Sequence, residues 1–425
     1  MNCYLGVDFG TSGARAIAID ESAQPCAQAS LPFTSPAPDQ WAQHWHTTLF
    51  TLIQTIPPSI RQSLRAIAIN GTSSTVLLCD RAGQPLTAPL LYNDASGQSA
   101  LTTLQQLLNC QTIRPTVGLG SILSATSSLV KLLWWQHHPA YADARFFLHQ
   151  ADWLAFLLHG QLGLSDYHNA LKLGYDVVNL RYPDWLESLP IQPLLPQVVP
   201  PGTAIAPVQP AIAQELGLPP DCIVRAGTTD SIAAFIASGA THPGEAVTSL
   251  GSTLVLKLLS QSPVESFASG IYSHRFGDRW LVGGASNTGG AVLQHFFSET
   301  ELQDLSAQMT PEQASPLHYY PLLKPGERFP VNDPTLLPQL SPRPADPVAF
   351  LHGLLESMAR IETQGYQYLQ DLGAPSLTHV YTAGGGAKNT AWTVIRQRLL
   401  GVPVHPSQHP DAAYGTALLS LKATL

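Results

Sequence analysis

The stretch YLGVDFGTSGARAIAI, residues 4–19, decides how the rest of the chain is read. Two apolar runs, 4–9 and 15–19, flank the polar turn Asp8-Phe9-Gly10-Thr11-Ser12-Gly13. Such runs joined by a Gly-rich turn read as an antiparallel β-hairpin. Glycine lets the turn curl until its N–H groups converge, and the Thr11 and Ser12 hydroxyls add donors, so the turn can wrap a phosphate. Asp8 at its entrance suits Mg²⁺, which takes oxygen ligands and keeps several waters. An ordinary polar hairpin turn accounts for the same residues equally well.

The pattern returns about two hundred and forty residues later. Residues 245–250 read as a strand, Gly251-Ser252-Thr253 as a turn and 254–259 as the return strand. A repeat this long is no solenoid. It implies two similar α/β domains, each offering one hairpin turn to a shared cleft. Alone, Gly251-Ser252-Thr253 is a plain turn; paired with the first, it is the second jaw of a phosphate clamp. Other strands read at 65–69, 75–79 and 380–383, and helices at 127–136, 150–159, 229–239, 348–373 and 389–400, with Trp134, Trp135 and Trp153 on apolar faces. The Pro-rich stretches 182–220 and 311–348 read as loops.

Bulk composition narrows the function. A chain of 425 residues exceeds one core, so two domains are expected. With 44% apolar and only 12% charged residues, net charge −8 and no basic block, nucleic-acid binding and attachment to an acidic membrane are disfavoured. Five cysteines without a CxxC pair argue against a disulfide framework. No signal-peptide pattern and no apolar run of membrane-spanning length is seen, so the expectation is a soluble cytoplasmic protein. The fifteen histidines show no HExxH spacing, and no Walker-type GxxxxGK[ST] or GxSxG is present.

Two further segments carry chemistry. Thr382-Ala383-Gly384-Gly385-Gly386-Ala387-Lys388-Asn389-Thr390-Ala391-Trp392 puts three glycines between a strand and a helix. Bare backbone at a helix N-terminus can receive an adenine or a phosphate. Asn389 can hydrogen-bond and Trp392 offers a flat face, although Trp392 serves helix packing at least as well. In Ala226-Gly227-Thr228-Thr229-Asp230-Ser231, Asp230 opens a helix. It reads either as a cap or as a general base for an attacking hydroxyl.

Taken in order, these motifs resemble the FGGY carbohydrate kinases of the actin, Hsp70 and hexokinase superfamily, over almost the whole chain. LGVDFGTSGARAIAID resembles the first phosphate loop, and Asp39-Gln40-Trp41-Ala42-Gln43-His44-Trp45 the sugar-side GWxEQ segment, with Gln43 in place of Glu. Lys131-Leu132-Leu133-Trp134 resembles the K-[apolar]-x-W signature, from which Thr126 and Trp135 depart. The stretch 152–170, GTTDS, GSTL, the 354–359 helix segment and TAGGGAKNTAW complete the set. Closer similarity is to the cyanobacterial and chloroplast xylulose kinase-like group that acts on D-ribulose, through DFGTSGARAIA, NGTSSTVLLCD, SDYHNALKLGY and AGTTDSIAAF.

The resemblance implies an α/β fold of two actin-like (ribonuclease H-like) domains around an ATP and sugar cleft. It puts sugar binding and the first phosphate loop in 1–236 and nucleotide binding in 237–425, with a last helix, about 411–425, packing back on the first domain. ATP and Mg²⁺ are the implied cofactors and a small ketose the partner. Asp8 assists Mg²⁺ and phosphate; Thr11, Ser12, Gly13, Gly251, Ser252 and Thr253 bind phosphate. Asp8, Ser12, Ser73 and Asp230 meet the sugar, with Asp230 as base. Gly384, Gly385, Gly386, Asn389 and Trp392 hold the adenosine. D-Xylulose, another ketose or a polyol, and a nucleotide switch without acceptor, are the alternatives; oligomeric state is not fixed by the sequence.

Overall fold

The computed structural model describes residues 1–34, 36–110, 118–423 and 425. The chain forms two compact units, one of Met1–Ala237 with Asp411–Leu425, the other of Ser238–Pro410. Each is built on one mixed sheet, and alternation of apolar residues explains why. Along Cys3–Phe9 the side chains of Cys3, Leu5, Val7 and Phe9 are all buried, as expected of a strand covered on its faces.

In the first unit the sheet runs Pro25–Pro32, Gly13–Asp20, Cys3–Phe9, Leu64–Gly71, Ile223–Arg225, Ala204–Pro207, and Thr228–Thr229 also pairs with Leu64–Gly71. Neighbours among the first three strands are antiparallel, and the central pair, Cys3–Phe9 with Leu64–Gly71, is parallel. The second unit runs Tyr272–Phe276, Arg279–Ser286, Leu254–Ser260, Glu245–Leu250, His379–Ala383, Val404–Pro406. There too an antiparallel part, here of four strands, gives way to parallel pairing, at Glu245–Leu250 with His379–Ala383. The duplication legible in the hairpins therefore extends to the sheets, and the two-domain α/β fold class holds.

The hairpin turns fall where the sequence puts them, with strands Cys3–Phe9 and Gly13–Asp20 closed by Gly10 N donating to Gly13 O at 3.0 Å. The helices at 128–135, 150–159, 230–238, 347–371 and 390–400 match the periodicity. One reading needs correction: 182–220 is not simply loop. It holds the strands Gln197–Val199 and Ala204–Pro207 and the helix Pro210–Leu216. Proline at the first helical turn, as at Pro210, does not stop a helix.

The final helix, Ala412–Lys422, lies against the first strand. A Cβ on Gly6 would sit 2.1 Å from Ala417 N, and one on Gly415 1.9 Å from Ala233 O. Only hydrogen at these two positions permits so close an approach. A second apolar cluster, with Val76, Leu78, Leu104, Leu132, Trp135 and Phe147, supports an added layer of the first unit. Among the described residues, no helix is long and apolar enough to cross a membrane. Cys3, Cys26, Cys79 and Cys222 are free, and Cys110 lies outside the residues whose side chains are described.

Candidate functional site

In the first unit, three strands end side by side. Asp8 pairs in register with Asn70, which pairs with Thr228, and Thr229 pairs with Gly71. The helix Asp230–Ser238 starts at the next residue. Parallel strands that stop at one edge commonly present their last side chains to a ligand there. Here those side chains carry a chemical deficit. Asp8 is 5% exposed and its Oδ1 has no hydrogen-bond partner; Asn70 Oδ1 and Thr229 Oγ1 are buried and unpartnered too. Buried polar atoms are nearly always satisfied, so three such atoms at adjoining strand ends call for an outside partner.

Asp8 and Asp230 feel each other. Burial first, and the Asp230 carboxylate second, push the Asp8 carboxyl up to about 7, while Arg15 pulls it down and Asp411 adds to the rise. Asp230 is only half-buried, and its Oδ1 accepts from Ser231 N at 2.6 Å. A cation beside Asp8 would remove the cost of ionising it. Among the described residues, no group of three or more His, Cys, Asp and Glu could cage a metal. The Asp8 carboxylate is an oxygen donor of the kind a hard cation such as Mg²⁺ takes alongside its own waters. Thr11 and Ser12 are exposed on their turn and Gly13 is half-buried, leaving hydroxyls and backbone accessible.

Ser73 lies on the loop after Leu64–Gly71, half-buried between the buried Thr72 and Ser74. Nearby in the chain fold, Asp166 accepts from His168 N at 2.8 Å and from Asn169 Nδ2 at 2.6 Å. His168 Nδ1 lies 2.7 Å from Thr228 Oγ1. Polar segment 165–169 is therefore tied to the strand that leads into Asp230. A small cleft in this unit, lined by Asp152, Ser165, Arg225 and Gly227 among others, includes none of the candidate residues.

In the second unit, Gly251 and Thr253 are half-buried and Ser252 exposed. Their turn rests on a segment the sequence reading missed. Gly290 N donates to Gly251 O at 2.8 Å and Ala291 N to Ser252 O at 3.1 Å. Gly289 has φ +140, and a Cβ there would lie 2.7 Å from the Thr253 carbonyl carbon. The glycine doublet after the strand Arg279–Ser286 was the available signal.

The triplet divides by role. Gly384, at φ +83, packs against the Leu250 carbonyl; Gly386 packs against Leu250 and Trp392; Gly385 has nothing within 4 Å of its would-be Cβ. Asn389 caps the helix Thr390–Leu400 by accepting from Trp392 N at 2.9 Å, and its Nδ2 donates to Ser306 Oγ at 2.9 Å. Trp392 is 2% exposed. Of the two readings of Trp392 the packing one matches this burial: the ring lies against Gly386, beside Leu250, and presents no open face. Beneath both glycine turns, Arg396 donates to Glu362 from Nε (2.6 Å) and Nη2 (2.8 Å), and to Thr382 Oγ1 (2.7 Å). Thr248 Oγ1 donates to the same Glu362 at 2.5 Å. This buried hub ties the strands leading to Gly251 and Gly384 to two helices. Besides the Gly289-Gly290 doublet, the sequence reading gave no role to Asn70, Thr229 and Arg15, although they lie in quoted motifs, and did not single out Asp411 and Arg396, which lie in none.

Residues 3–237 match the N-terminal domain model, and 246–424 the C-terminal domain model, of the FGGY family of carbohydrate kinases. A xylulose kinase of Klebsiella pneumoniae is 26% identical over 352 residues, 78% of this chain and 71% of that protein. A ribulokinase of Halalkalibacterium halodurans is 25% identical over 308 residues, 61% of this chain and 54% of its own length. The crystal structure of a "xyloylose kinase" from Brucella ovis superposes with a TM-score of 0.87 at 24% identity, covering 99% of this chain and 90% of that one; this likeness is one of fold.

Proposed function

The chain belongs to the FGGY family of carbohydrate kinases and is an ATP-dependent sugar kinase, and from that premise we propose that its acceptor is a ketopentose, D-ribulose first. The observation that carries an acceptor site is the set of unpartnered buried oxygens on Asp8, Asn70 and Thr229 beside Asp230. Sugar hydroxyls and a cation are the partners such atoms lack. D-Ribulose is favoured by the segments DFGTSGARAIA, NGTSSTVLLCD and SDYHNALKLGY. D-Xylulose is the second reading, favoured by relatives named xylulose kinase.

In this reading Asp230 takes the proton of the attacking hydroxyl, O5 of the ketose, as that oxygen bonds to the γ-phosphorus of ATP and the bond to the β-phosphate oxygen breaks. The products are the sugar phosphate and ADP. Ser12 and Ser73 orient the sugar. Thr11, Ser12 and Gly13 in one unit, and Gly251, Ser252 and Thr253 in the other, offer donors to phosphate. Gly384, Gly385, Gly386 and Asn389 receive the adenosine, and Trp392 supports Gly386 from below. Mg²⁺ arriving with ATP would neutralise phosphate charge, and Asp8, with its unpartnered Oδ1, is the residue that would hold it, directly or through water.

An ADP-release assay over a panel of ketoses and polyols, with a no-sugar control, tests this. D-Ribulose is expected to give the highest kcat/KM. Asp230→Ala should lower sugar phosphorylation by about 10²-fold or more and leave ATP binding intact. Wild-type turnover in Asp230→Ala would remove the base assignment, and ADP release indifferent to every sugar would remove the acceptor.

A further inference from the structure

The loop that carries Ser73 is anchored on either side by buried polar contacts. Thr72 N and Oγ1 both donate to Gln150 Oε1, at 3.0 and 3.1 Å. Thr72 Oγ1 and Thr75 Oγ1 are 2.6 Å apart, and Gln150 N donates to Thr75 O at 2.9 Å. Between these anchors Ser74 adopts φ +65, a left-handed conformation that costs a non-glycine residue energy. A strained residue persists only where its surroundings over-determine it.

What fixes Ser74 is a lysine. Lys131, in the helix Ser128–Trp135, is completely buried. Its Nζ donates to Ser74 O at 2.8 Å and to Leu91 O at 2.5 Å. Its helical neighbours Leu129, Val130 and Leu132 are all apolar and buried, so packing alone would be served by an apolar side chain. Burying an ammonium is costly unless hydrogen bonds compensate it. Here it is aimed at two main-chain carbonyls from separate loops, one of them next to the half-buried Ser73.

We infer that Lys131 is a positioning residue for the sugar: by clamping the Ser74 and Leu91 carbonyls it sets where Ser73 stands before the acceptor. It touches no substrate and acts through the 72–75 loop. This inference rests on the reading of Ser73 as a sugar contact.

Steady-state kinetics on the full chain test it, varying D-ribulose (or the ketose the wild type prefers) and ATP separately. Lys131→Met should raise the sugar KM by at least about tenfold, as loss of one ordering contact does, with the ATP KM and sugar-independent ADP release unchanged. Lys131→Arg should restore part of the loss and Lys131→Gln less. These two keep donors for the carbonyls and decide the matter should the Met variant fail to fold. Sugar and ATP KM rising together, or neither moving, would overturn the clamp and leave Lys131 a structural staple. Ser73→Ala separates the two levels. If Ser73→Ala raises the sugar KM and the Lys131 variants do not, only the clamp fails. If Ser73→Ala changes nothing, the reading of Ser73 fails and the clamp falls with it.

Discussion

A carboxyl group buried beside another carboxyl gives up its proton reluctantly, and Asp8 is such a group. Lys131 is its cationic counterpart. Burial lowers its ammonium to about 7 from an ordinary value of 10.5, with Asp94 opposing the shift and Lys172 adding to it. The folded chain releases that proton near pH 7 and the unfolded chain only near 10.5. Between those values the unfolded state binds more protons, so this group's contribution to stability rises with pH. The stability difference between wild type and Lys131→Met, from urea denaturation, should therefore shift in favour of the wild type between pH 7 and 9. Raised thiol and phenol groups cancel in the comparison, because both proteins contain them. A difference that stays flat with pH would show Lys131 to be an ordinary, fully protonated lysine.

Elements are placed here by residues that lack side chains as much as by those that have them. The final helix reaches the first strand because Gly6 has no Cβ to strike Ala417 N or Ala413 O, at 2.1 and 2.2 Å. The obstacle would be backbone, which cannot rotate away. Gly6→Ala should cost about 3 kcal/mol or more by denaturant titration, at the upper end for overpacking. Gly385→Ala makes the contrast, since nothing lies within 4 Å of its Cβ. It should change stability by less than about 0.5 kcal/mol. If Gly385 lines the adenosine, the ATP KM rises while the melting temperature stays. A cost shared equally by both variants would contradict the assignment of Gly6 to packing and Gly385 to a ligand.

At the scale of the whole molecule, the chain visits the first unit twice. It leaves at Ala237 and returns at Asp411. The returning segment brings Ala413 and Ala417 against Ile17 and Ile19. It also brings Thr416 Oγ1 within 2.6 Å of Asn70 Nδ2, and Asp411 to an ion pair with Arg15 at 3.3 Å. The strand end that carries Asp8 is thus completed by residues about four hundred positions away. Stopping the chain after Pro410 should expose the first strand and leave the Asn70 amide without its partner. Hydrogen exchange should show lost protection across Cys3–Phe9, with a melting temperature lower by about 5 °C or more. Unchanged protection there would mean that the final helix is an appendage.

The hairpins, the duplication, the long helix Pro347–Asp371 and the glycine segments were all fixed by local sequence, because periodicity and turn chemistry act over a few residues. So was the family, through motifs that keep their order along the chain. Local pattern failed at 182–220, where short strands such as Gln197–Val199 and Ala204–Pro207 exist only through partners elsewhere. It left Trp392 between packing and an open face, because its burial depends on what packs against Gly386. It marked Asn70, Thr229 and Lys131 as parts of motifs but could not tell what each of them meets. A lone polar residue in an apolar run looks the same whether it faces solvent, a neighbour or a ligand. Which of these it meets is settled by contacts between segments far apart in the chain, and those are a property of the folded molecule alone.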